Sequence, residues 1–169
     1  MQMRSYRSGD AAALAGIFRR AVAELGGRHY TSPQVAAWLG RAPDAEGMAA
    51  RAADGRVVLV AVDDADRPVA FADLEPNGHV DLLFALPEVA GTGVAQSLVE
   101  ALEVIARSHG MLRLFVEASE GAKGLFARQG FLMLGRNDFT LGGTAIHNYR
   151  MEKALQRERA SDPRRPPRG

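Results

Sequence analysis

Leu14, Ile17, Phe18, Val22 and Leu25 recur at three- and four-residue intervals, which predicts an amphipathic helix over 11–25 with Asp10 as N-cap and Gly26–Gly27 as stop. Before it, Met3–Arg7 reads as a short strand. After it, Ser32–Pro33 restarts a helix in which Ser32 caps, Pro33 fits the first turn, and Val35 and Trp38 share a face. Asp44–Ala53 reads as a further short helix. The pattern then shortens to that of strands: Arg56–Val62, Val69–Glu75 and His79–Ala85, separated by the turn-rich Asp63–Pro68 and by Pro76-Asn77-Gly78. Helical spacing returns in Ala95–His109, where Leu98, Leu102, Ile105 and Ala106 line one side and Gly110 stops the run. Met111–Glu117 is predicted as a strand and Glu120–Arg128 as a helix. Phe131–Asp138 with Ala145–Glu152 reads as a closing hairpin around Gly142–Gly143.

The order is strand, helices, three strands, helix, strand, helix, two strands. It predicts an α/β domain with a mainly antiparallel sheet, not the regular alternation of a doubly wound fold. At 169 residues the chain suits one domain. Residues 1–156 are expected to form it, and the Arg- and Pro-rich stretch 157–169, without apolar periodicity, is expected to be a disordered tail. No internal repeat is evident. A formal net charge of +1 gives no broad field for nucleic acid or anionic membranes. With no cysteine, disulfides, thiolate nucleophiles and thiolate-bound metals are excluded. No stretch is apolar enough to span a bilayer, and Met1–Asp10 lacks the core of a secretory signal, so a cytoplasmic location is expected.

Candidate chemistry begins at Pro87–Gln96, where Gly91 and Gly93 permit close backbone approach and the following helix start presents free N–H groups able to bind phosphate. The dinucleotide fingerprint needs Gly or Ala where Gln96 stands, and the Gly-Lys-Ser/Thr ending of nucleotidase phosphate loops is missing. An ordinary helix-entry turn is the alternative.

At these residues the chain resembles the GCN5-related N-acetyltransferase (GNAT) superfamily, whose Gln/Arg-x-x-Gly-x-Gly/Ala loop grips the pyrophosphate of acetyl-coenzyme A. Ala90-x-x-Gly93-x-Ala95 matches at Gly93 and Ala95. Val116-Glu117-Ala118-Ser119-x-x-Ala122-x-x-Leu125-Phe126-x-x-x-Gly130-Phe131 is similar to the family's strand–helix–Gly-Phe block. Arg4-x-Tyr6…Asp10, His29-Tyr30-x-x-x-Gln34-Val35-x-x-Trp38 and His147-Asn148-Tyr149-Arg150-Met151 further resemble the bacterial YafP-like branch. The resemblance covers about residues 3–155. It implies a twisted sheet of about seven strands with about four helices, splayed between the fourth and fifth strands. It also implies acetyl-CoA as co-substrate, held by Phe84, Ala85, Gly91, Thr92, Gly93, Val94, Ala95, Gln96, Ser119 and Phe126, without a metal.

Three positions depart from the family pattern. Ala90 and Thr92 stand where Gln or Arg is common, a loss of about 1.5–3 kcal/mol per charge-assisted contact that the Thr92 hydroxyl can offset only in part. Phe126 stands where many members carry the Tyr that reprotonates the leaving thiolate, so Tyr149 and His147 become candidates for that proton.

Transfer to an amine needs a base and a polarised carbonyl, and the absence of cysteine favours direct attack in a ternary complex. His79 and Asp81, two apart on the expected strand, are the candidate catalytic residues. The apolar flanks of Asp81 are expected to raise its pKa toward neutrality, with a structural anchor as the alternative. Glu117 and Asp73 are candidates to attract a cationic amine, and Tyr30 and Trp38 resemble the family's acceptor-side segment, although Trp38 also fits a core position. The implied activity is N-acetyl transfer to a primary amine of a small molecule, with no nucleic-acid or membrane partner and a homodimer as an open possibility. Transfer to a protein or peptide amine, and a non-catalytic acyl-CoA-binding module, are the alternatives.

Overall fold

The computed structural model describes residues 1–155. The expected tail from Arg157 onward lies outside them, and so does residue 156.

Among the described residues, seven strands and five α-helices follow one another, where the resemblance implies about seven and about four. β1 (Gln2–Ser5) leads through a tight turn at Ser8–Asp10 into α1 (Ala11–Arg20). The turn is pinned by the buried Asp10 carboxylate, which accepts from the Arg4 guanidinium at 2.7 and 3.0 Å and from the Arg7 amide at 2.7 Å. Asp10 therefore holds the turn before α1 instead of capping the helix itself. The predicted helix over 11–25 stops being α-helical at Arg20. Residues Ala21–Leu25 form a wider π-helical turn and Gly26–Arg28 a tighter 3₁₀ turn.

α2 (Ser32–Leu39) is capped one residue earlier than expected, by Thr31, whose hydroxyl accepts from the Gln34 amide at 3.4 Å while the Gln34 side chain accepts from the Thr31 amide at 3.0 Å. α3 (Ala45–Ala52) is capped by Asp44, which accepts from the Gly47 amide at 2.8 Å.

β2 (Val57–Val62), β3 (Pro68–Leu74) and β4 (Leu83–Ala85) complete an antiparallel sheet of order β1-β2-β3-β4. Its alternation is a division of labour. Val60, Val62 and Phe71 pack with Leu14, Ile17 and Phe18 of α1 and Met48 of α3. Leu59, Ala61, Ala70, Ala72 and Leu74 pack on the other face with Leu98, Val99 and Leu102 of α4 (Val94–Ser108). β5 (Arg113–Ala118), α5 (Lys123–Arg128), β6 (Leu132–Leu141) and β7 (Thr144–Ala154) supply a second antiparallel sheet of order β5-β7-β6.

The two sheets meet as leaves at one joint, a parallel bridge between His79 and Phe115. There the Val80 amide donates to the Phe115 carbonyl at 2.9 Å and the Phe115 amide to the Gly78 carbonyl at 3.0 Å. Gly78 has φ +93°, and a Cβ on it would run into the Arg113 carbonyl, so the joint requires glycine. Past the joint β4 and β5 share no ladder among the described residues, and the sheet splays between its fourth and fifth strands as the resemblance implies.

The strand expected over His79–Ala85 is paired with β3 as a ladder only at Leu83–Ala85. Upstream, the Asp73 carboxylate intrudes and accepts from the amides of Asp81 and Leu82 at 3.2 and 2.8 Å. A side chain standing in for a backbone carbonyl interrupts the regular ladder, so that 79–82, still held by the Asp73 and Glu75 amides on the carbonyls of Leu82 and His79 at 3.0 and 2.8 Å, also reach the second leaf at Phe115.

Candidate active site

Two features flank the splay, a helix N-terminus on the first leaf and a charged cluster at the joint. Pro87–Val89 forms a 3₁₀ turn, after which Gly91 and Gly93 take φ +81° and +90°, with open space where a Cβ would project. Gly93 is the N-cap of α4, and no side chain among the described residues caps that end. The amides of Val94, Ala95 and Gln96 in the first turn thus lack intrahelical acceptors and form a cradle fitted to an anion. Thr92 donates its hydroxyl to the Val89 carbonyl at 2.7 Å. Its proton shapes the loop, so the compensation expected of it toward phosphate is spent internally. Phe84 and Ala85 lie on β4 just before this loop, the Phe84 ring packed against Phe18 at a 4.3 Å centroid distance and a 43° tilt.

At the joint, His79 lies flat on the Phe115 ring, centroids 4.8 Å apart at an interplanar angle of 13°. Its Nε2 is 2.5 Å from the Glu117 carboxylate and its Nδ1 3.3 Å from Glu75. Burial by itself lowers the imidazole pKa, but the Glu117 bond and the charges of Glu117 and Asp81, with the Glu75 bond, outweigh it and leave the pKa raised. Ligand atoms of Glu75, His79 and Asp81 fall within 4.8 Å of one another. That is a donor set of the kind a cation uses, yet Asp81 is already bonded to Arg51, and Arg56 lies 3.3 Å from the same oxygen.

These arginines overturn the expectation for Asp81. Burial pushes its carboxyl up, as the apolar flanks suggested, but the Arg51 and Arg56 guanidinium groups and His79 pull it further down, and the net pKa is lowered. Asp73 is also reassigned. It is 2% exposed, held by Arg56 at 2.8 Å and Arg51 at 3.2 Å besides its two backbone donors, and it anchors the chain before β4 with no face left for an incoming amine.

On the second leaf, Ser119 begins the turn that leads into α5, its hydroxyl and carbonyl accepting from the Ala122 amide at 3.2 and 3.0 Å. Phe126 is 1% exposed and packs edge-on against Phe131 at 5.0 Å, which makes it core and removes it from the surface open to a cofactor. Tyr149 lies opposite Ala118, the last residue of β5. It donates to Glu120 at 2.7 Å, His147 Nε2 lies 2.8 Å from the same oxygen, and Lys123 pairs with Glu120 while sitting 4.2 Å above the Tyr149 ring. Bonds from Lys123, His147 and Tyr149 hold the Glu120 carboxyl down at about 2.

Tyr30 and Trp38 both face this leaf. The Tyr30 hydroxyl accepts from the Glu120 amide at 2.9 Å and donates to the His147 carbonyl at 3.2 Å. Trp38 is half-buried edge-on to Phe139 at 6.2 Å, with its indole N–H buried and unpaired. The sequence reading missed Arg51, Arg56, Glu75, Glu120 and Lys123 as parts of these clusters. Glu75 alone carried a local signal, four residues before His79 across a Pro-Asn-Gly turn.

The chain matches the acetyltransferase (GNAT) domain family over residues 27–153. It is 32% identical over 151 residues to YafP of Escherichia coli K12, named an uncharacterized N-acetyltransferase, covering 89% of this chain and 94% of YafP. A GCN5-related N-acetyltransferase structure from Rhodopseudomonas palustris, labelled "Aminotransferase, Class-II", superposes with a TM-score of 0.84 at 35% identity, covering 91% of this chain and 95% of that one. PaiA N-acetyltransferase from Thermoplasma acidophilum in complex with coenzyme A shares the fold at a TM-score of 0.74 and 17% identity, covering 91% of this chain and 98% of PaiA. A splayed sheet with an uncapped, glycine-led helix beside it, matched along most of its length by these relatives, makes this chain an acetyltransferase of the GNAT family.

Proposed function

We propose that the protein moves an acetyl group from acetyl-CoA to a primary amine of a small molecule by direct attack in a ternary complex, with His79 as base. The observation that carries this reading is the imidazole fixed between Glu117 and Glu75 at the joint from which the leaves diverge.

Glu117 orients Nε2, as the third member of a nucleophile–base–orienter set does, and Nδ1 is left to accept a proton beside Glu75 and Asp81. An ammonium group can donate to the His79 Nδ1 and to the Glu75 carboxylate beside it, while Asp81, held by Arg51 and Arg56, adds negative charge nearby. Neutral His79 takes one of the ammonium protons and passes it to solvent; the amine nitrogen then attacks the thioester carbon and the C–N bond forms, and as the tetrahedral intermediate collapses the C–S bond breaks and the nitrogen gives its second proton to His79. The departing sulfur needs a proton, and Tyr149, on β7 opposite the last residue of β5, is the candidate donor, its hydroxyl restored from solvent, since Phe126 has no hydroxyl and is buried. The amides of Val94, Ala95 and Gln96 at the start of α4, behind Gly91 and Gly93, suit the pyrophosphate, with backbone doing what Ala90 and Thr92 cannot. PaiA was crystallised with coenzyme A on the same fold, which supports a coenzyme A ligand.

A small acceptor is favoured because Arg51 of α3 closes on Asp81 beside His79, which suits a compact molecule better than an extended chain.

Thiol release from acetyl-CoA across a panel of small primary amines and lysine-containing peptides tests the reading. Turnover confined to the small amines supports it. Preference for peptides would replace the acceptor class, and tight cofactor binding with no turnover on either would leave a binding module.

A further inference from the structure

Residues 18–30 touch both leaves at the open side of the splay. On the first leaf, Phe18 packs at a tilt against Phe84 of β4 with centroids 4.3 Å apart, Val22 packs against the same apolar cluster, and Arg20 reaches Glu88 beside the glycine loop at 2.7 Å. The chain then leaves the α-helix through the π turn at Ala21–Leu25 and the 3₁₀ turn at Gly26–Arg28, and ends on the second leaf. There Tyr30 accepts from the Glu120 amide and donates to the His147 carbonyl, joining the β5–α5 loop to β7 through one hydroxyl. The His29 ring packs so closely on Gly121 that a Cβ there would lie 2.8 Å from it, and Gln34 adds a bond to the Ala145 carbonyl at 3.0 Å.

We infer that Tyr30 is a positioning residue: it ties down a strap, residues 18–30, that sets the spacing of the two leaves where the cofactor enters. Its hydroxyl spends its donor and one acceptor position on main-chain groups, so it holds the cleft without contacting the acceptor amine. The joint at His79 and Phe115 fixes the closed end of the splay, and no β-ladder fixes the open end among the described residues. Without the strap, the leaves must be brought to their spacing at the moment of binding, and that ordering cost is taken from cofactor affinity. This inference rests on the proposal that acetyl-CoA binds between the leaves.

Tyr30→Phe removes both hydrogen bonds and keeps the ring. The measurements are acetyl-CoA affinity by calorimetry, steady-state kinetics, and amide exchange of parent and variant with and without acetyl-CoA. The expected result is a Kd and KM for acetyl-CoA raised about fivefold or more. Turnover at saturation should stay within about twofold, because no group at the chemical centre has changed. Amides of Glu120 and of residues 21–29 should exchange faster in the free variant and regain protection with saturating acetyl-CoA. If the parent fails to bind acetyl-CoA, the underlying proposal falls. If the parent binds and the variant binds equally well, or loosens at Glu120 alone, the strap is overturned.

Discussion

His79 has a carboxylate on each ring nitrogen, and that arrangement has opposite consequences for binding and for catalysis. The flanking charges favour imidazolium, yet only the neutral ring can accept a proton, so activity should rise with pH along a limb lying above the ordinary histidine value of 6.5. Glu117→Gln removes the bond that raises this pKa while burial continues to lower it, so the limb in the pH profile of kcat/KM should move to lower pH. His79→Gln should cut turnover by about 10²–10⁴-fold and remove that limb. A variant retaining both would show that the base lies elsewhere. The same pKa shift has a stability sign. The contribution from His79 is fully present below pH 6.5 and is lost as pH rises through the higher folded value. Asp81 belongs to another regime. Its lowered pKa keeps it ionised, and its stabilising pairing with Arg51 and Arg56 is present above pH 3.8 and lost as pH falls through the folded value.

Among the elements, α4 makes the plainest demand on its first residues. Gly93→Asp should weaken acetyl-CoA binding by at least tenfold, because it brings a negative charge to the amides of Val94, Ala95 and Gln96. Asp at φ +90° is strained by about 1–2 kcal/mol. A carboxylate at a helix N-terminus returns about 0.3–1 kcal/mol, so the fold should survive with a melting temperature within a few degrees of the parent. Equal affinity in the two proteins would place the phosphates away from this loop. α4 was legible in the sequence because its apolar face repeats at helical spacing and glycines precede it. Periodicity carried less information at residues 21–25 and 79–82. The apolar pattern of 11–25 continues through Val22 and Leu25 whether the turn is α or π, and alternation around Val80 cannot reveal that the Asp73 side chain replaces a ladder carbonyl. The candidate site was legible where residues are close in sequence, as at His79 and Asp81. It was not where Arg51 arrives from α3 and Arg56 from the start of β2 to settle the Asp81 charge state, since no local pattern announces a partner 25 or 30 residues away.

On the scale of the whole molecule, each leaf is built from one uninterrupted run of chain, residues 2–85 for the first and 113–154 for the second, and α4 lies between the two runs. Leu98 and Leu102 of α4 share one apolar cluster with Ala72 of the first leaf and Leu114, Val116 and Met151 of the second. Lys153 of β7 reaches Glu103 of α4 at 2.5 Å. Among the described residues the β-ladders of each leaf join strands of that leaf alone, so the leaves are held together by this shared core, the bridge at the Gly78 joint and the contacts of residues 18–38 with the second leaf. A chain divided at Gly110, an exposed turn with φ +70°, therefore yields two pieces that each keep a full set of strand partners and each bare one side of a common apolar surface. Fragments 1–110 and 111–169, produced separately and mixed, should reassemble into an acetyl-CoA-binding complex, detected as co-elution and recovered thiol release. Gly78→Val, which crowds the joint, should defeat the reassembly. The molecule is in this sense a natural two-part protein whose halves happen to share a peptide bond.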